Sequence, residues 1–251
     1  MPINGVTFDL WQTLLMDNSE LGRARMKVRL DGAIEALREV GEEFSQDLVR
    51  EAYRQCYRTC HDIRAQERDV TFTEQIEIFI RHIDPGLLDR LQGSVVKRIA
   101  TIYADSFFVY PPTPHADAVR VLRSVKEKGY RIGLISNTGM TPGVTFRVYM
   151  EQIGILGYFD ALTFSDEVRL AKPSREMFLQ TAQSLGVSPG QVVHVGDHLL
   201  NDVLGARQVG MKTIWIETYD ERRAQVEVQP DLTVPSLGQV GSAIESLALS
   251  S

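Results

Sequence analysis

Apolar residues follow two different patterns along this chain of 251 residues. Short, nearly continuous apolar runs, rich in β-branched residues, occur near the beginning and again through the second half. Such runs are typical of strands that are buried on both faces of a parallel sheet. They predict five strands, at residues 5–8, 131–135, 161–164, 192–195 and 213–216.

Helical periodicity replaces this pattern between the first two predicted strands. From residue 21 to residue 108, apolar side chains recur three and four positions apart, with few strand signals. The predicted apolar faces consist of Ala33, Leu37 and Val40, of Leu48, Ala52 and Tyr53, and of Ile76, Phe79, Ile80 and Ile83. Ser45 and Thr73 precede two of the helices and are predicted N-caps, and Asp84-Pro85-Gly86 predicts a turn.

Helices and strands alternate in the remainder of the chain. Residues 116–128 predict a helix with Val119, Leu122 and Val125 facing inward and Gly129 at its end. This alternation predicts an α/β fold, with a parallel sheet covered by helices on both faces. We predict a core made of residues 1–16 and 109–251, with an all-helical domain, residues 17–108, inserted between its two parts. The inserted segment ends shortly before three prolines, Pro111, Pro112 and Pro114.

The composition is that of a globular chain, with 43% hydrophobic and 24% charged residues. No apolar stretch approaches the roughly 20 residues of a membrane span, and the N-terminus lacks a basic-then-apolar signal segment. The net charge is −6 and no long Lys/Arg run occurs. We therefore expect a cytoplasmic protein with a small-molecule partner, and neither nucleic-acid nor membrane binding. The sequence leaves the oligomeric state open.

Cys56 and Cys60 are the two cysteines of the chain, and they lie four positions apart on a predicted helix, next to His61. A metal site requires more ligands at better spacing. We therefore expect two buried or half-buried thiols, as is usual in a reducing cytoplasm.

Polar residues that suit a reaction centre come directly after the predicted strands. Asp9 follows the first strand, at the sheet edge where ligands bind in open α/β folds. The segment Ser136-Asn137-Thr138-Gly139 follows the second and offers a hydroxyl, an amide and turn N–H groups to an anion. Lys172 follows the third and supplies a positive charge. Asp197 and Asp202 follow the fourth, and paired carboxylates of this kind suit Mg²⁺.

Each of these clusters also fits a structural role, as a turn, a surface lysine or a helix N-terminus with acidic residues, and only their joint order is specific. FDLWQTL, ISNTG, AKPSREMF and VGDHLLNDVLGA occur in an order and at distances that resemble the haloacid dehalogenase-like hydrolase superfamily, over nearly the whole chain. The resemblance implies a Rossmann-like core and, in one subclass, a helical cap inserted after the first motif. The predicted helical insertion fits that cap.

The resemblance also implies roles for single residues. It implies Asp9 as the nucleophile and Lys172 as the cation that neutralises the nucleophile and the transferring group. Ser136 would bind a phosphate oxygen, with Thr13 and Asn137 beside it. The implied ligands of a Mg²⁺ cofactor are Asp9, the backbone carbonyl of Trp11, Asp197 and Asp202, the last of which could instead support Lys172.

Trp11 departs from the family pattern and leaves three hypotheses for the function. Family phosphatases carry an aspartate there that protonates the departing alkoxide and activates water, and indole can do neither. The first hypothesis is a Mg²⁺-dependent phosphohydrolase that acts through an aspartyl-phosphate on Asp9 on a phosphorylated small molecule. The second is a metal-independent 2-haloacid dehalogenase, because halide leaves without protonation and family dehalogenases carry an aromatic residue at this position. The third is a non-catalytic binding or regulatory protein.

Asp197 and Asp202 lie in the loop after the fourth predicted strand, here called the metal loop, and they favour the first hypothesis, since a dehalogenase has no use for two acids there. Family dehalogenases also carry glycine where this chain has Gln12. Proton donors of suitable type are His61, Asp62 and Glu67 in the cap and His198 in the metal loop. Cap arginines that could recognise an acidic substrate, or could simply be solvated, are Arg23, Arg25, Arg29, Arg54, Arg58 and Arg64.

Overall fold

The computed structural model describes residues 2–217 and 227–249, and eight strands lie within them. The last residues of the predicted core, 250 and 251, and its segment 218–226 lie outside the described residues. In chain order the strands are β1 (Gly5–Phe8), β2 (Leu15–Met16), β3 (Thr113–Pro114), β4 (Arg131–Ser136), β5 (Ala161–Phe164), β6 (Val192–Gly196), β7 (Lys212–Ile216) and β8 (Leu232–Val234).

Six of these strands form one parallel sheet in the order β5-β4-β1-β6-β7-β8. All five predicted strands are confirmed within one residue at each end, and β8 extends the sheet beyond the prediction. The predicted Rossmann-like α/β fold is thus confirmed. Since β1 pairs with β4 on one side and β6 on the other, the segments that follow these three strands meet at one edge.

Eleven α-helices connect and cover the strands within the described residues. They are α1 (Ser19–Arg38), α2 (Gln46–Ala65), α3 (Phe72–Ile83), α4 (Leu87–Arg90), α5 (Gly93–Val109), α6 (Ala118–Glu127), α7 (Gly143–Gln152), α8 (Ser165–Val168), α9 (Arg175–Ser184), α10 (Gly205–Arg207) and α11 (Val240–Leu249). No helix among the described residues is both long enough and apolar enough to cross a membrane.

The first five helices lie between β2 and β3 and form the inserted helical part, here called the cap. They bury their own apolar cluster, in which the predicted face of α3, from Ile76 to Ile83, is fully packed. Both cysteines are buried free thiols within this cluster, as expected. Ser45 caps α2 as predicted, its hydroxyl accepting the Leu48 N–H at 3.2 Å.

Some predicted details are wrong for local reasons. Thr71, and not Thr73, caps α3, because Thr71 and Glu74 form a reciprocal capping box that starts the helix two residues earlier. In α6, Ala118 and Val121 occupy the buried face with Leu122 and Val125, so Val119 points to solvent instead of inward.

Two predicted face residues of the cap, Val40 and Leu48, are also exposed. Val40 lies beyond the end of α1, and in the first turn of α2 Val49 takes the buried face, so Leu48 points to solvent.

The cap contacts the sheet edge through several hydrogen bonds, among them a part-buried ion pair. Arg64, near the end of α2, donates to the Asp69 carboxylate at 2.9 Å and to the Gly139 carbonyl at 2.8 Å. Asp69 also accepts the Ser165 hydroxyl at 2.6 Å. Gln75 of α3 donates to the same Gly139 carbonyl at 3.2 Å. The segments that follow β4 and β5 are therefore held to the cap at several points.

The environment of Asp166 leads us to expect that the stability of the protein depends on pH. Its carboxylate accepts the Gly143 N–H at 3.2 Å, where α7 begins without a side-chain cap of its own. Burial raises the pKa of Asp166 from 3.8 to about 6, with the Glu167 and Asp69 charges adding to this effect. Because the pKa of the folded state lies above that of the unfolded chain, stability falls as the pH rises from about 4 to about 6.

We expect Asp166→Asn to exceed the parent protein in unfolding free energy by about 1–2 kcal/mol at pH 7, and to match it near pH 4. The amide keeps an acceptor for Gly143 and removes the buried charge. Urea unfolding at both pH values measures the difference. The exposed Asp105→Asn change is the matched control, and an equal gain at both pH values would contradict the expectation.

Candidate functional site

Asp9 lies at the carboxyl end of β1, with its side chain almost fully buried. Its N–H donates to the Val195 carbonyl at 2.9 Å, which fixes the backbone against β6. The Lys172 ammonium donates to Asp9 Oδ1 at 2.5 Å and to Asp202 Oδ1 at 2.6 Å. One lysine therefore bridges the carboxylates that follow two neighbouring strands.

Asn137 holds this lysine in place through its backbone. Its side-chain oxygen accepts the Lys172 N–H at 2.8 Å, and its amide nitrogen donates to the Lys172 carbonyl at 3.3 Å. Both polar atoms of the amide are thus engaged by the lysine. The loop after β4 consequently positions Lys172, which lies far away along the chain.

Asp202 is held from three directions. Besides Lys172, its oxygens accept the His198 N–H at 2.9 Å and contact His194 Nε2 at 3.3 Å. His194 Nδ1 lies 2.9 Å from the Thr7 hydroxyl. The neutral tautomer with its proton on Nε2 satisfies both contacts of the histidine.

His194 and Thr7 are functional positions that the sequence analysis missed. Both lie inside apolar strands, β6 and β1, and both are buried. A histidine in an otherwise apolar buried strand was the available signal, because a buried polar ring requires partners. The segment that carries Asp202, Leu199–Leu204, is a π-helical turn, a geometry found frequently at functional sites.

The charges of the site are strongly perturbed. Burial disfavours the Lys172 ammonium, but Asp202 and Asp9 hold the pKa of Lys172 above its usual range. Burial alone would raise the pKa of Asp202. The contacts with Lys172 and His194 outweigh burial and hold the pKa of Asp202 below its usual range.

The other two carboxyls are less well compensated. Burial, only partly offset by Lys172, raises the pKa of Asp9. Burial together with the Asp9 and Asp202 charges raises the pKa of Asp197 to about 8. The site thus holds more buried negative charge than one lysine balances.

Oxygen atoms of Asp9, Asp197 and Asp202 lie within 4.8 Å of one another. Carboxylate oxygens are the ligands that Mg²⁺ prefers, and the uncompensated charge at Asp197 is what a divalent cation would neutralise. The residues present therefore fit a Mg²⁺ ion.

A cavity of about 390 Å³ opens above this cluster. Its walls include most of the predicted site residues, namely Asp9, Trp11, Asn137, Lys172, Asp197 and Asp202. Thr13 and Ser136 are buried beside it without lining it. The Thr13 hydroxyl has no hydrogen-bond partner in the described structure, and Ser136 Oγ makes only a 3.5 Å contact with the Asn137 carbonyl.

Two of the predicted proton donors line the same cavity, His61 from α2 and His198 from the metal loop. His198 Nδ1 already accepts the Asn201 N–H at 3.2 Å. Asp62 and Glu67 are exposed and lie outside the cavity walls. Of the four candidates, His61 and His198 therefore share a cavity with Asp9.

Trp11 lines the cavity with one side of its indole and packs with the other. Its ring meets Phe146 edge-on at 5.3 Å and Phe107 at 6.2 Å between centroids. Phe107 belongs to α5 of the cap and Phe146 to α7 of the core. The tryptophan thus fills the joint between the two parts of the protein. Its neighbour Gln12 has a φ of 57°, a conformation that glycine adopts more easily.

The site consists of a buried carboxylate at the carboxyl end of β1, a lysine from a distant loop and an acidic loop after β6. A family model described as haloacid dehalogenase-like hydrolase matches residues 3–210. The chain belongs to this family.

Comparison with individual proteins supports the same placement. A glyceraldehyde 3-phosphate phosphatase of Methanopyrus kandleri is 31% identical over 142 residues, which make up 54% of this chain and 58% of the relative. The chain thus spans less than two thirds of the length of the curated relatives it matches.

Solved structures match over nearly the whole chain. A phosphatase of this family from Thermococcus onnurineus superposes with a TM-score of 0.65 at 25% identity, covering 96% of this chain and 98% of the other. A 2-haloacid dehalogenase from Pseudomonas syringae gives a TM-score of 0.68 at 20% identity, covering 98% and 99%. The second likeness shows the fold alone.

Proposed function

We propose that the protein is a Mg²⁺-dependent phosphohydrolase that forms an aspartyl-phosphate on Asp9. The observation that carries the proposal is a cluster of three carboxylates, two of them buried and Asp197 half-buried, at the single ammonium of Lys172. A metal-independent reaction would leave this excess charge without a purpose, whereas a divalent cation and a phosphoryl group complement it. Relatives named as phosphatases, including that of Methanopyrus kandleri, agree with the proposal.

The proposed reaction begins with attack of an Asp9 oxygen on phosphorus, which breaks the ester P–O bond and releases an alkoxide. Lys172 neutralises Asp9 and the transferring group, and such charge stabilisation is the main catalytic contribution in phosphoryl transfer. Water then hydrolyses the acyl-phosphate and returns Asp9 with inorganic phosphate. Thr13 and Ser136 would offer hydroxyl groups near the phosphoryl group.

Asp9 and Asp197, with the Trp11 carbonyl, would hold Mg²⁺, whose role is to neutralise charge on the phosphoryl oxygens. We assign Asp202 to the support of Lys172, because its oxygens already accept bonds from Lys172, His194 and the His198 N–H. His194 contacts Asp202, Thr7 contacts His194, and Asn137 fixes the backbone of Lys172.

A panel of phosphate monoesters assayed with Mg²⁺ and with EDTA tests the function. We expect turnover that EDTA abolishes and Mg²⁺ restores, and a higher melting temperature in Mg²⁺, because the ion binds the folded protein and not the unfolded chain. Asp197→Asn should lose the Mg²⁺-dependent rise in melting temperature. Absence of both the turnover and the thermal shift would exclude the proposal.

Trp11 favours a second candidate, metal-independent hydrolysis of a 2-haloacid, because this reaction needs no proton donor at that position. Release of halide from a 2-chloro acid in the presence of EDTA would establish it. A non-catalytic protein is the remaining alternative. It would neither release halide nor trap beryllium fluoride on Asp9 in the presence of Mg²⁺.

We assign the missing proton donor of the phosphatase reaction to His61. The ring comes from the cap, lines the cavity above Asp9 and stacks on Tyr57 at 6.4 Å between centroids. Histidine can hold and release a proton near neutral pH, which tryptophan cannot. The cap would thus supply the group that the core lacks.

We expect His61→Ala to lower kcat/KM by about 100-fold for alkyl phosphates, which need a protonated leaving group. For 4-nitrophenyl phosphate, whose leaving group needs no proton, we expect a change of less than about threefold. Steady-state kinetics on both substrates measure the contrast. His82→Ala is the matched control, because His82 lies on α3 outside the cavity walls and bonds to Thr59. Equal losses on both substrates would mean that His61 is not the donor.

A further inference from the structure

A second cavity, of about 610 Å³, lies beside the reaction site at the junction of cap and core. Trp11 and Gln12 line both cavities, so the second begins where the first ends. Its other walls come from the first turns of α1, from α2 and from the loop that follows β4. A leaving group that extends from a phosphoryl group at Asp9 past the indole would enter this space.

The charged lining of the second cavity is mostly positive in a chain whose net charge is −6. Three arginines, Arg23, Arg25 and Arg29, stand against one aspartate, Asp17. Arg25 pairs with Asp17 and also donates to the Tyr110 carbonyl at 2.8 Å. The charges of Arg23 and Arg29 remain unbalanced within the wall of the cavity.

Arg29 is the unusual member of this set, because it is 3% exposed and has no acidic partner among the described residues. Its guanidinium donates to three hydroxyl groups, at 2.8 to 3.2 Å, and lies over the Tyr103 ring. Those hydroxyls belong to Ser106, Tyr53 and Thr141. The part-buried Arg64, by contrast, is paired with Asp69.

A guanidinium carries five N–H donors. The described bonds of Arg29 use the Nε hydrogen, shared with the Tyr103 carbonyl, and one hydrogen each on Nη1 and Nη2. One N–H on each terminal nitrogen has no described acceptor, and a carboxylate or phosphate forms charge-assisted hydrogen bonds with such groups. A buried cation without a counter-ion is also costly, and a bound anion removes that cost.

We propose that Arg29, with Arg23 at the rim, binds a second anionic group of the substrate. The substrate class is then a phosphate monoester whose leaving group carries a carboxylate or a second phosphate. This inference rests on the proposed phosphohydrolase function and names its substrate. The phosphoryl group lies at Asp9, the carbon chain passes the Trp11 indole, and the anion meets the fixed guanidinium of Arg29.

Matched substrate pairs test the proposal and separate the two anions. Phosphoglycolate is compared with ethyl phosphate for the carboxylate, and propanediol bisphosphate with propyl phosphate for the second phosphate. We expect the parent protein to prefer one anionic member in kcat/KM by at least about tenfold, as charge-assisted hydrogen bonds allow. The preferred pair identifies the anion, and no preference in either pair overturns the proposal.

Arg29→Met should remove the preference, lowering kcat/KM for the anionic member by about 10–100-fold and leaving its neutral counterpart within about twofold. Arg38→Met, an exposed position on the same helix, is the control and should change neither. Because Arg29 is buried and bonded, Arg29→Met is checked for folding by its melting temperature. Arg23→Met, at an exposed position, should lower the preference about threefold without affecting the fold. Equal losses on both members of a pair would show that Arg29 is only structural.

A binding measurement keeps this result separate from the proposed function. Malonate, which carries carboxylates and no phosphate, is titrated calorimetrically into Asp9→Asn protein without Mg²⁺. We expect binding that Arg29→Met in the same background abolishes. Malonate binding without any turnover of phosphate esters would leave the anion site standing and overturn the phosphohydrolase. Turnover of phosphate esters without an anion preference and without malonate binding would support the phosphohydrolase and overturn the anion site.

Discussion

Replacing Asp9 by asparagine should lower phosphatase turnover by at least about 10⁴-fold, because the amide cannot form the acyl-phosphate. The loss should not come from unfolding. Burial raises the pKa of Asp9, which means that its ionised form is unfavourable in the folded protein without metal. An amide of the same size removes that charge, and we expect an unchanged or slightly higher melting temperature.

Rapid-quench experiments with a labelled phosphate ester measure this prediction directly. The parent protein should accumulate acid-stable label on the chain, and Asp9→Asn should not. Asp105→Asn is the control, since it makes the same chemical change at an exposed position. Persistent labelling of the Asp9→Asn protein would place the nucleophile elsewhere.

Lys172→Met should have the second largest effect, on both turnover and stability. We expect turnover to fall by about 10²–10³-fold, as for loss of one preorganised donor to a transition-state anion. We also expect the metal-free protein to lose about 3–5 kcal/mol of unfolding free energy, because the change leaves buried carboxylates without their cation. Mg²⁺ should recover part of the stability and little of the turnover.

The pH range of this stabilisation follows from the pKa shifts. The pKa of Asp202 is lowered from 3.8, so its contribution is complete above that value and is lost as the pH falls toward the folded-state pKa. The pKa of Lys172 is raised from 10.5, so its contribution is complete below that value and is lost at higher pH. The part of the difference that comes from the Lys172–Asp202 pair should therefore be constant from about pH 5 to about pH 9. Lys172 also favours the ionised form of Asp197, whose pKa is about 8, so the total difference should grow as the pH rises through that value.

Chemical unfolding across this range measures the effect, with Lys212→Met as the control. Lys212 pairs with Asp231 at the surface, at 3.3 Å, and such pairs contribute about 0–1 kcal/mol. If Lys172→Met lowered the unfolding free energy no more than Lys212→Met does, Lys172 would not be the group that balances the buried carboxylates.

The fold was predictable because its signals are local. Each strand is a short apolar run, and the face of α3 repeats at helical spacing, so neither requires knowledge of distant residues. The order of the strands places Asp9, Asn137 and Asp197 at one edge, and the position of each after a strand already indicated that edge. Errors arose where two nearby residues of the same type compete for one role, as Thr71 and Thr73 do at the start of α3.

The supporting residues could not be predicted in the same way, because their partners are remote in sequence. Asn137 meets the backbone of Lys172 across 35 positions, and Thr7 meets His194 across 187. Arg29 looked like any arginine of an amphipathic helix until the fold placed it against α2, α5 and the loop after β4 without an acid. Burial and pairing are properties of the assembled chain, and periodicity along one helix does not contain them.

The packing of Trp11 also bears on how such a site can change during evolution. Its indole joins Phe107 and Phe146, so replacing it by aspartate would remove a large aromatic contact from the joint between cap and core. Trp11 is half-buried, so the change should cost less than the roughly 3–5 kcal/mol of a fully buried aromatic side chain, yet it would weaken this joint. A return to the family's acid therefore carries a structural cost. It becomes easier after neighbouring side chains have grown to fill the space, so the order of substitutions matters.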